Sequence, residues 1–337
     1  MAMIGRERTA AVDVLTTSPR VSLAHLPTPL HRAAALERAL GCPPLYVKRD
    51  DLTGFAFGGN KARTLEYLIG AARAEGCDVL ITGGGPSSAH CMTAAMAARV
   101  VGMACVLVCF GEPPASRPAA LALALAAGAR VRFTGDDDRA SIDHQLDVVA
   151  AEERASGRHP AVVPRGGATV SGSLAYAAAV PEVSTQLSRL GVEPDLHLLA
   201  TGSCGTQAGL VAGTIAMGAG WRVIGASVSR PVDECVERVT ALATACTQRL
   251  GVRPPMVHEV IVVDARGPGF GRTSAAGRRC ARLAAATEGL VLDDVYTAKA
   301  LAQLPTVARS DAAVFWHTGG TVAAVANALS AGEEQEP

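Results

Sequence analysis

Lys61 stands directly behind a glycine turn and opens an apolar run, Gly58-Gly59-Asn60-Lys61-Ala62-Arg63-Thr64-Leu65-Glu66-Tyr67-Leu68. Leu65, Leu68 and Ile69 recur at helical spacing, which predicts a helix packed inward from its first turn. An amine held there loses hydration, and desolvation lowers a lysine from about 10.4 towards neutrality. The free amine so produced attacks carbonyls and forms Schiff bases. The competing reading is a solvated lysine in the first turn of an ordinary helix, and this stretch taken alone favours it.

Three further turns could carry chemistry. Ala200-Thr201-Gly202-Ser203-Cys204-Gly205-Thr206 runs from an apolar strand into a helix, so its backbone amides could converge on a phosphate at the helix N-terminus, helped by the Ser203 and Thr206 hydroxyls. Gly83-Gly84-Gly85-Pro86-Ser87-Ser88-Ala89-His90 can present amides to a carboxylate, or Ser87 or Ser88 can simply cap the helix that follows. His317-Thr318-Gly319-Gly320 ends the last apolar strand, where open sheets place their ligands. Asp293-Asp294-Val295-Tyr296-Thr297 adds a phenol from a loop. Neither glycine turn has the GxGxxG or Walker spacing, so dinucleotide and ATP binding lack motif support.

The elements that must hold these turns alternate. Strands are expected at 45–48, 78–82, 104–108, 130–133, 196–200, 223–226, 260–263 and 313–316, with a polar turn at 50–54 and a crossing point at 161–164 followed by Gly166-Gly167. Helices are expected between them, including a single long one over 170–190. Such alternation implies βαβ units, and hence an α/β fold with open, twisted, mostly parallel sheets and helices on both faces. Residues up to about Val21 read as a loose leader.

At 337 residues the chain is long enough for two domains. Lys plus Arg and Asp plus Glu each number 31, so no net field draws nucleic acid or an anionic membrane, and a small-molecule partner is expected. Nine scattered cysteines without a CxxC pair read as core residues in a reducing compartment, with no metal site. The absence of a signal-like or membrane-length apolar run places the protein in the cytoplasm.

Taken together, the motifs resemble the D-cysteine desulfhydrase and 1-aminocyclopropane-1-carboxylate (ACC) deaminase family of fold-type-II pyridoxal phosphate enzymes, from about Leu26 to Gly320. The pieces that carry the resemblance are Lys48-Arg49-Asp50-Asp51-Leu52-Thr53-Gly54, Gly58-Gly59-Asn60-Lys61, Gly205-Thr206-Gln207-Ala208-Gly209, Glu288-Gly289 with Val295-Tyr296, and His317-Thr318-Gly319-Gly320. The resemblance implies that Lys61 carries the cofactor as a Schiff base. It assigns cofactor binding to Asn60, Gly202, Ser203, Cys204, Gly205, Thr206 and Thr318, with Thr318 beside the pyridine nitrogen. Ser87, Ser88, Ala89, His90, Phe270 and Tyr296 would face the substrate, with Lys61, Ser88 and Tyr296 catalytic. It also implies a large cofactor domain (1–57 plus 168–337), a smaller mobile domain (58–167), and a homodimer.

A threonine hydroxyl cannot stabilise a pyridinium as a carboxylate would, so the cofactor ring would be a weaker electron sink. That disfavours transamination and favours α,β-elimination on a small amino acid such as D-cysteine. The deaminase branch fits less well, because Thr297 stands where its pattern has a glutamate. Ala89 replaces the usual asparagine of Ser-Asn-His, and Phe270 replaces a usual tyrosine. Both departures leave open a β-replacement synthase, and a non-catalytic amino-acid-binding relative remains the reading from another class.

Overall fold

The apolar runs become strands, the inner ones of each sheet mostly buried and the edge ones partly exposed. The computed structural model describes residues 2–309 and 311–333. Its strands are β1 (Leu30–Arg32), β2 (Leu45–Lys48), β3 (Val79–Gly84), β4 (Ala104–Cys109), β5 (Arg130–Phe133), β6 (Pro160–Val163), β7 (Pro194–Thr201), β8 (Arg222–Ser227), β9 (Ile261–Asp264) and β10 (Ala312–Trp316). They form a six-stranded sheet, ordered β1-β2-β10-β7-β8-β9, and a four-stranded sheet, ordered β5-β4-β3-β6. Every pairing is parallel except β1 with β2.

Alternation along each strand feeds two cores. From the six-stranded sheet, Leu199, Val314 and Trp316 pack on one face with Tyr176, Val239 and Cys246, while Leu198, Phe315 and Val47 pack on the other with Leu36 and Leu301. The four-stranded sheet does the same, with Leu80 and Leu107 against Leu65 and Ala94, and Ile81 and Val106 against Ile142 and Leu146. Helices therefore cover both faces of both sheets, as expected for the α/β class.

Two expectations need correction. The N-terminal residues are not a loose leader: Ala2–Thr17 is a helix. Ala11 and Leu15 are buried in the main core, and the Tyr67 hydroxyl donates to the Leu15 carbonyl at 3.3 Å. The apolar i,i+4 pair at 11 and 15 was the available signal. The long helix over 170–190 is instead two, Val170–Ala177 and Ala179–Leu190. Pro181 has no N–H to offer the Ala177 carbonyl, so the ladder breaks there.

Candidate active site

The loops at the carboxyl ends of β2, β3, β6, β7 and β10 carry the turns singled out in the sequence. Lys61 is the second residue of the Asn60–Ala74 helix, whose N-cap is Gly59 at φ 56° and ψ −129°. Ala56 and Phe57, just before it, also take positive φ (51° and 49°), a strained approach of the kind that clusters at functional sites. A Cβ at Gly59 would lie 2.2 Å from the Thr318 carbonyl oxygen, and that oxygen accepts the Asn60 N–H at 2.9 Å. The lysine turn is thereby locked to the Thr318-Gly319-Gly320 turn, and only glycine permits the approach.

The Lys61 amine donates to the Gly166 carbonyl at 3.1 Å, and no carboxylate pairs with it among the described residues. Desolvation by the surrounding protein lowers it to about 8. A Cβ built on Gly166 would sit 2.7 Å from Ser203 Cβ and 3.9 Å from Lys61 Nζ, so the amine and the Gly202–Thr206 turn meet across Gly166. Asn60 Nδ2 donates to Thr206 Oγ1 at 3.0 Å. Cys204, the N-cap of the Gly205–Met217 helix, takes φ 76°, again a strained conformation for a residue with a side chain. Among the described residues the amides of Ser203, Cys204 and Gly205 donate to no carbonyl. Free amides at a helix start suit a phosphate, and an unpaired amine of lowered pKa beside them suits an aldehyde. The residues present therefore fit pyridoxal phosphate.

Ser88 caps the Ala89–Val100 helix, accepting the Cys91 N–H at 3.3 Å, while Ser87 beside it is exposed and Ala89 is half-buried. His90 is buried behind them. Thr82 Oγ1 donates to the Val163 carbonyl at 2.8 Å, so it must accept from His90 Nε2 at 2.9 Å, which leaves Nδ1 as a bare acceptor without a partner. Desolvation, with the Lys61 charge second, holds His90 down at about 3, so the ring is neutral at physiological pH.

Tyr296 reaches the site from the other side, its Cε1 lying 3.4 Å from where a Gly202 Cβ would be. Desolvation pushes its phenol up to about 12. Its turn is held by Asp293, whose Oδ2 accepts the N–H groups of Val295 (3.0 Å) and Tyr296 (2.8 Å), and whose Oδ1 accepts Thr297 N (3.0 Å) and Oγ1 (2.7 Å). Phe270 packs edge-on to Tyr296 with ring centroids 6.1 Å apart. The loop that carries Phe270 is tied down by buried Lys299, whose amine donates to the Arg266 (2.7 Å) and Gly269 (2.9 Å) carbonyls.

Sequence reasoning missed how these pieces are held. Gly166 read only as a crossing point, Asp293 as part of a loop, and Asp50 as a polar turn residue. In the structure Asp50 is fully buried and takes a fork from Arg63 (3.0 and 2.9 Å) and the Tyr176 hydroxyl at 2.6 Å. Arg63 also grips Glu182 through two bonds of 2.8 Å, and Lys48 closes the cluster on Glu182, Gln186 and the Thr28 carbonyl. Burial raises the Asp50 carboxyl, but Arg63, Lys48 and the Tyr176 hydroxyl together outweigh it and the group ends below its ordinary value. Two positive and two negative charges thus balance beneath the helix that carries Lys61.

Residues 21–319 match the family model described as pyridoxal-phosphate dependent enzyme. A D-cysteine desulfhydrase of Salmonella paratyphi B is 35% identical over 321 residues, 92% of this chain and 96% of that one. A Pyrococcus abyssi protein whose name carries a provisional ACC deaminase assignment is 35% identical over 311 residues, 91% of this chain and 93% of its own. Among solved structures, an ACC deaminase homologue superposes with a TM-score of 0.85 at 33% identity, covering 92% of this chain and 94% of its own.

Proposed function

The chain belongs to the pyridoxal-phosphate dependent enzymes, and from that membership we propose that it is a lyase performing α,β-elimination on a small amino acid, D-cysteine or a close analogue, with release of pyruvate and ammonia. The observation that carries the reading is Lys61: an amine lowered to about 8, paired only with the Gly166 carbonyl, facing a turn of free amides.

When bound, pyridoxal phosphate supplies an aldehyde that captures the amino group and a ring that withdraws electrons from Cα. The Ser203, Cys204 and Gly205 amides would hold the phosphate, with the Thr206 hydroxyl fixed by Asn60. Thr318, whose backbone is locked to the lysine turn, would offer the cofactor ring a neutral hydroxyl rather than a carboxylate, which would keep the ring a weaker electron sink. Ser88 accepts Cys91 N–H through a lone pair, which leaves its own O–H to donate to the substrate carboxylate, alongside the Ala89 and His90 amides. Lys61 Nζ, neutral in a useful fraction near pH 8, takes the Cα proton. Tyr296, protonated at neutral pH, donates towards the leaving group.

Support for elimination over deamination of ACC comes from position 297. The Thr297 hydroxyl is buried and committed to Asp293, so this position offers the cleft no acid or base. The half-exposed, apolar Phe270 at the mouth supports a second reading, β-replacement, in which a nucleophile enters after the leaving group departs. The reading includes a homodimer, a mobile 58–167 unit containing the whole four-stranded sheet, and a cytoplasmic setting consistent with nine free thiols. Among the described residues, no helix is long and apolar enough to cross a membrane.

The test is reconstitution with pyridoxal phosphate. A visible absorption band that disappears in Lys61→Ala is expected, together with pyruvate, ammonia and sulfide from D-cysteine. A new amino acid that forms only when a nucleophile is added would favour replacement, and a colourless preparation would defeat both.

A further inference from the structure

One guanidinium at the mouth of the cleft has no counter-ion among the described residues. Arg139 lies in the turn before the Ser141–Ala155 helix, with its Cζ 4.4 Å from the centre of the Phe270 ring. Phe270 in turn stands edge-on to Tyr296, at an interplanar angle of 78°. Arg139 is therefore one aromatic ring further out than the phenol that backs onto Gly202.

The neighbouring charges are already matched. Arg165 holds Asp143 in a fork (3.1 and 2.7 Å), and Arg230 pairs with Glu234 and donates to the Gly202 carbonyl at 3.1 Å. Of the acids nearest Arg139 in sequence, Asp136 Oδ1 accepts Asp138 N–H at 2.8 Å, Asp138 Oδ1 accepts Ala140 N–H at 2.9 Å, and Asp137 Oδ1 lies against Gly111, 3.1 Å from where a Cβ there would be. Among the described residues Arg139 makes no ion pair. Burial, and then the Arg165 charge, hold its guanidinium below the ordinary value. A partly desolvated cation without a partner is costly unless an anion arrives. Stacking on Phe270 occupies the face of the guanidinium and leaves its edge N–H groups free to form a bidentate contact.

We propose that Arg139 selects the substrate by its far end, binding an anionic group (sulfonate, phosphate or carboxylate) at the tip of a β-substituted amino acid's side chain. The inference rests on the amino-acid lyase reading above and narrows it. The α-carboxylate belongs at the Ser87–His90 turn, which follows β3 of the four-stranded sheet as Arg139 follows β5, while Phe270 and Tyr296 come from the six-stranded sheet. A group leaving Cβ past Tyr296 runs out towards Phe270 and Arg139.

The test compares kcat/KM of the holoenzyme for cysteine S-sulfonate, O-phosphoserine and S-carboxymethylcysteine with that for cysteine and β-chloroalanine, in both enantiomers, read by keto-acid release. The three anionic substrates separate sulfonate, phosphate and carboxylate. Wild type should prefer the anionic set. In Arg139→Gln the anionic-to-neutral ratio should fall about 10- to 100-fold, the range of one charge-assisted contact. Arg139→Lys should restore part of it, and Arg139→Glu should shift the preference towards 2,3-diaminopropionate. Equal losses for both sets, or no anionic preference in wild type, would overturn the proposal. Calorimetric binding of the same amino acids to wild type and Arg139→Gln gives an independent readout. If no visible band and no turnover appear, the lyase reading fails by itself, and the calorimetry still decides whether anionic amino acids depend on Arg139.

Discussion

Asn60 Nδ2 and Thr206 Oγ1 are hydrogen-bonded at 3.0 Å, and this one contact joins the residue before the Lys61 amine to the first turn of the Gly205–Met217 helix, the element proposed above to hold the cofactor phosphate. The bond ties together the two stretches proposed to hold opposite ends of the cofactor. Asn60→Ala should weaken pyridoxal phosphate binding about fivefold, the equivalent of one hydrogen bond of about 1 kcal/mol, with little change in folding. Fluorescence titration of the cofactor measures this, and an unchanged affinity would show that the contact is incidental.

Lys61, lowered to about 8 by desolvation, sets a pH dependence. Capture of pyridoxal phosphate by the cofactor-free protein should accelerate about tenfold per pH unit below 8 and level off above it, as stopped-flow absorbance would record. Stability follows the same group. The unfolded amine titrates near about 10.4, so between pH 8 and that value the unfolded chain binds more protons, and the cofactor-free fold gains stability as pH rises. That gain should be missing from Lys61→Met, and an identical stability profile in the two proteins would contradict the lowered value.

Arg63→Met removes the donors shared by Asp50 and Glu182 and leaves Lys48 alone to balance two carboxylates, one of them fully buried. Breaking such a cluster costs about 3–5 kcal/mol. Chemical denaturation should show a loss of that size. Arg63→Met combined with Asp50→Leu should lose less than Arg63→Met alone, because fewer unmatched charges remain.

Asp293→Asn places an amide where four donors now converge. The turn that presents Tyr296 should loosen, lowering kcat about 10- to 100-fold, the equivalent of roughly 1.4–2.7 kcal/mol. The visible cofactor band should persist, because Lys61 and the Gly202–Thr206 turn are untouched. Loss of the band together with activity would mean that Asp293 supports the whole cleft rather than the phenol.

Much of this architecture was written locally and could be read locally. The strand at 130–133 has the bounds its apolar pattern predicts, and Ser88 lies where a cap was expected. The lysine turn was visible because glycine, lysine and an apolar helix stand next to one another. What escaped depends on partners far apart in the chain. Nothing near Asp50 announces Arg63, Tyr176 and Glu182, and nothing near Gly166 announces Lys61. The N-terminal helix was missed because its buried face is narrow: Ala11 and Leu15 are buried, and only Val12 and Val14 are packed partly beside them. The divided helix at 178 needed only a closer reading of Pro181.

The charge cluster around Arg63 and the ring pair of Phe270 and Tyr296 share no residue. The cluster bonds the first turn of the lysine helix to β2 and to the Ala179–Leu190 helix, while the rings sit on loops leaving β9 and preceding β10. Chance replacements at Phe270, the outer of the two rings, can therefore retune which compounds enter without touching the cluster that holds the lysine helix. A lineage built on this scaffold can drift from one nutrient to another by a handful of edits, each tolerated on its own.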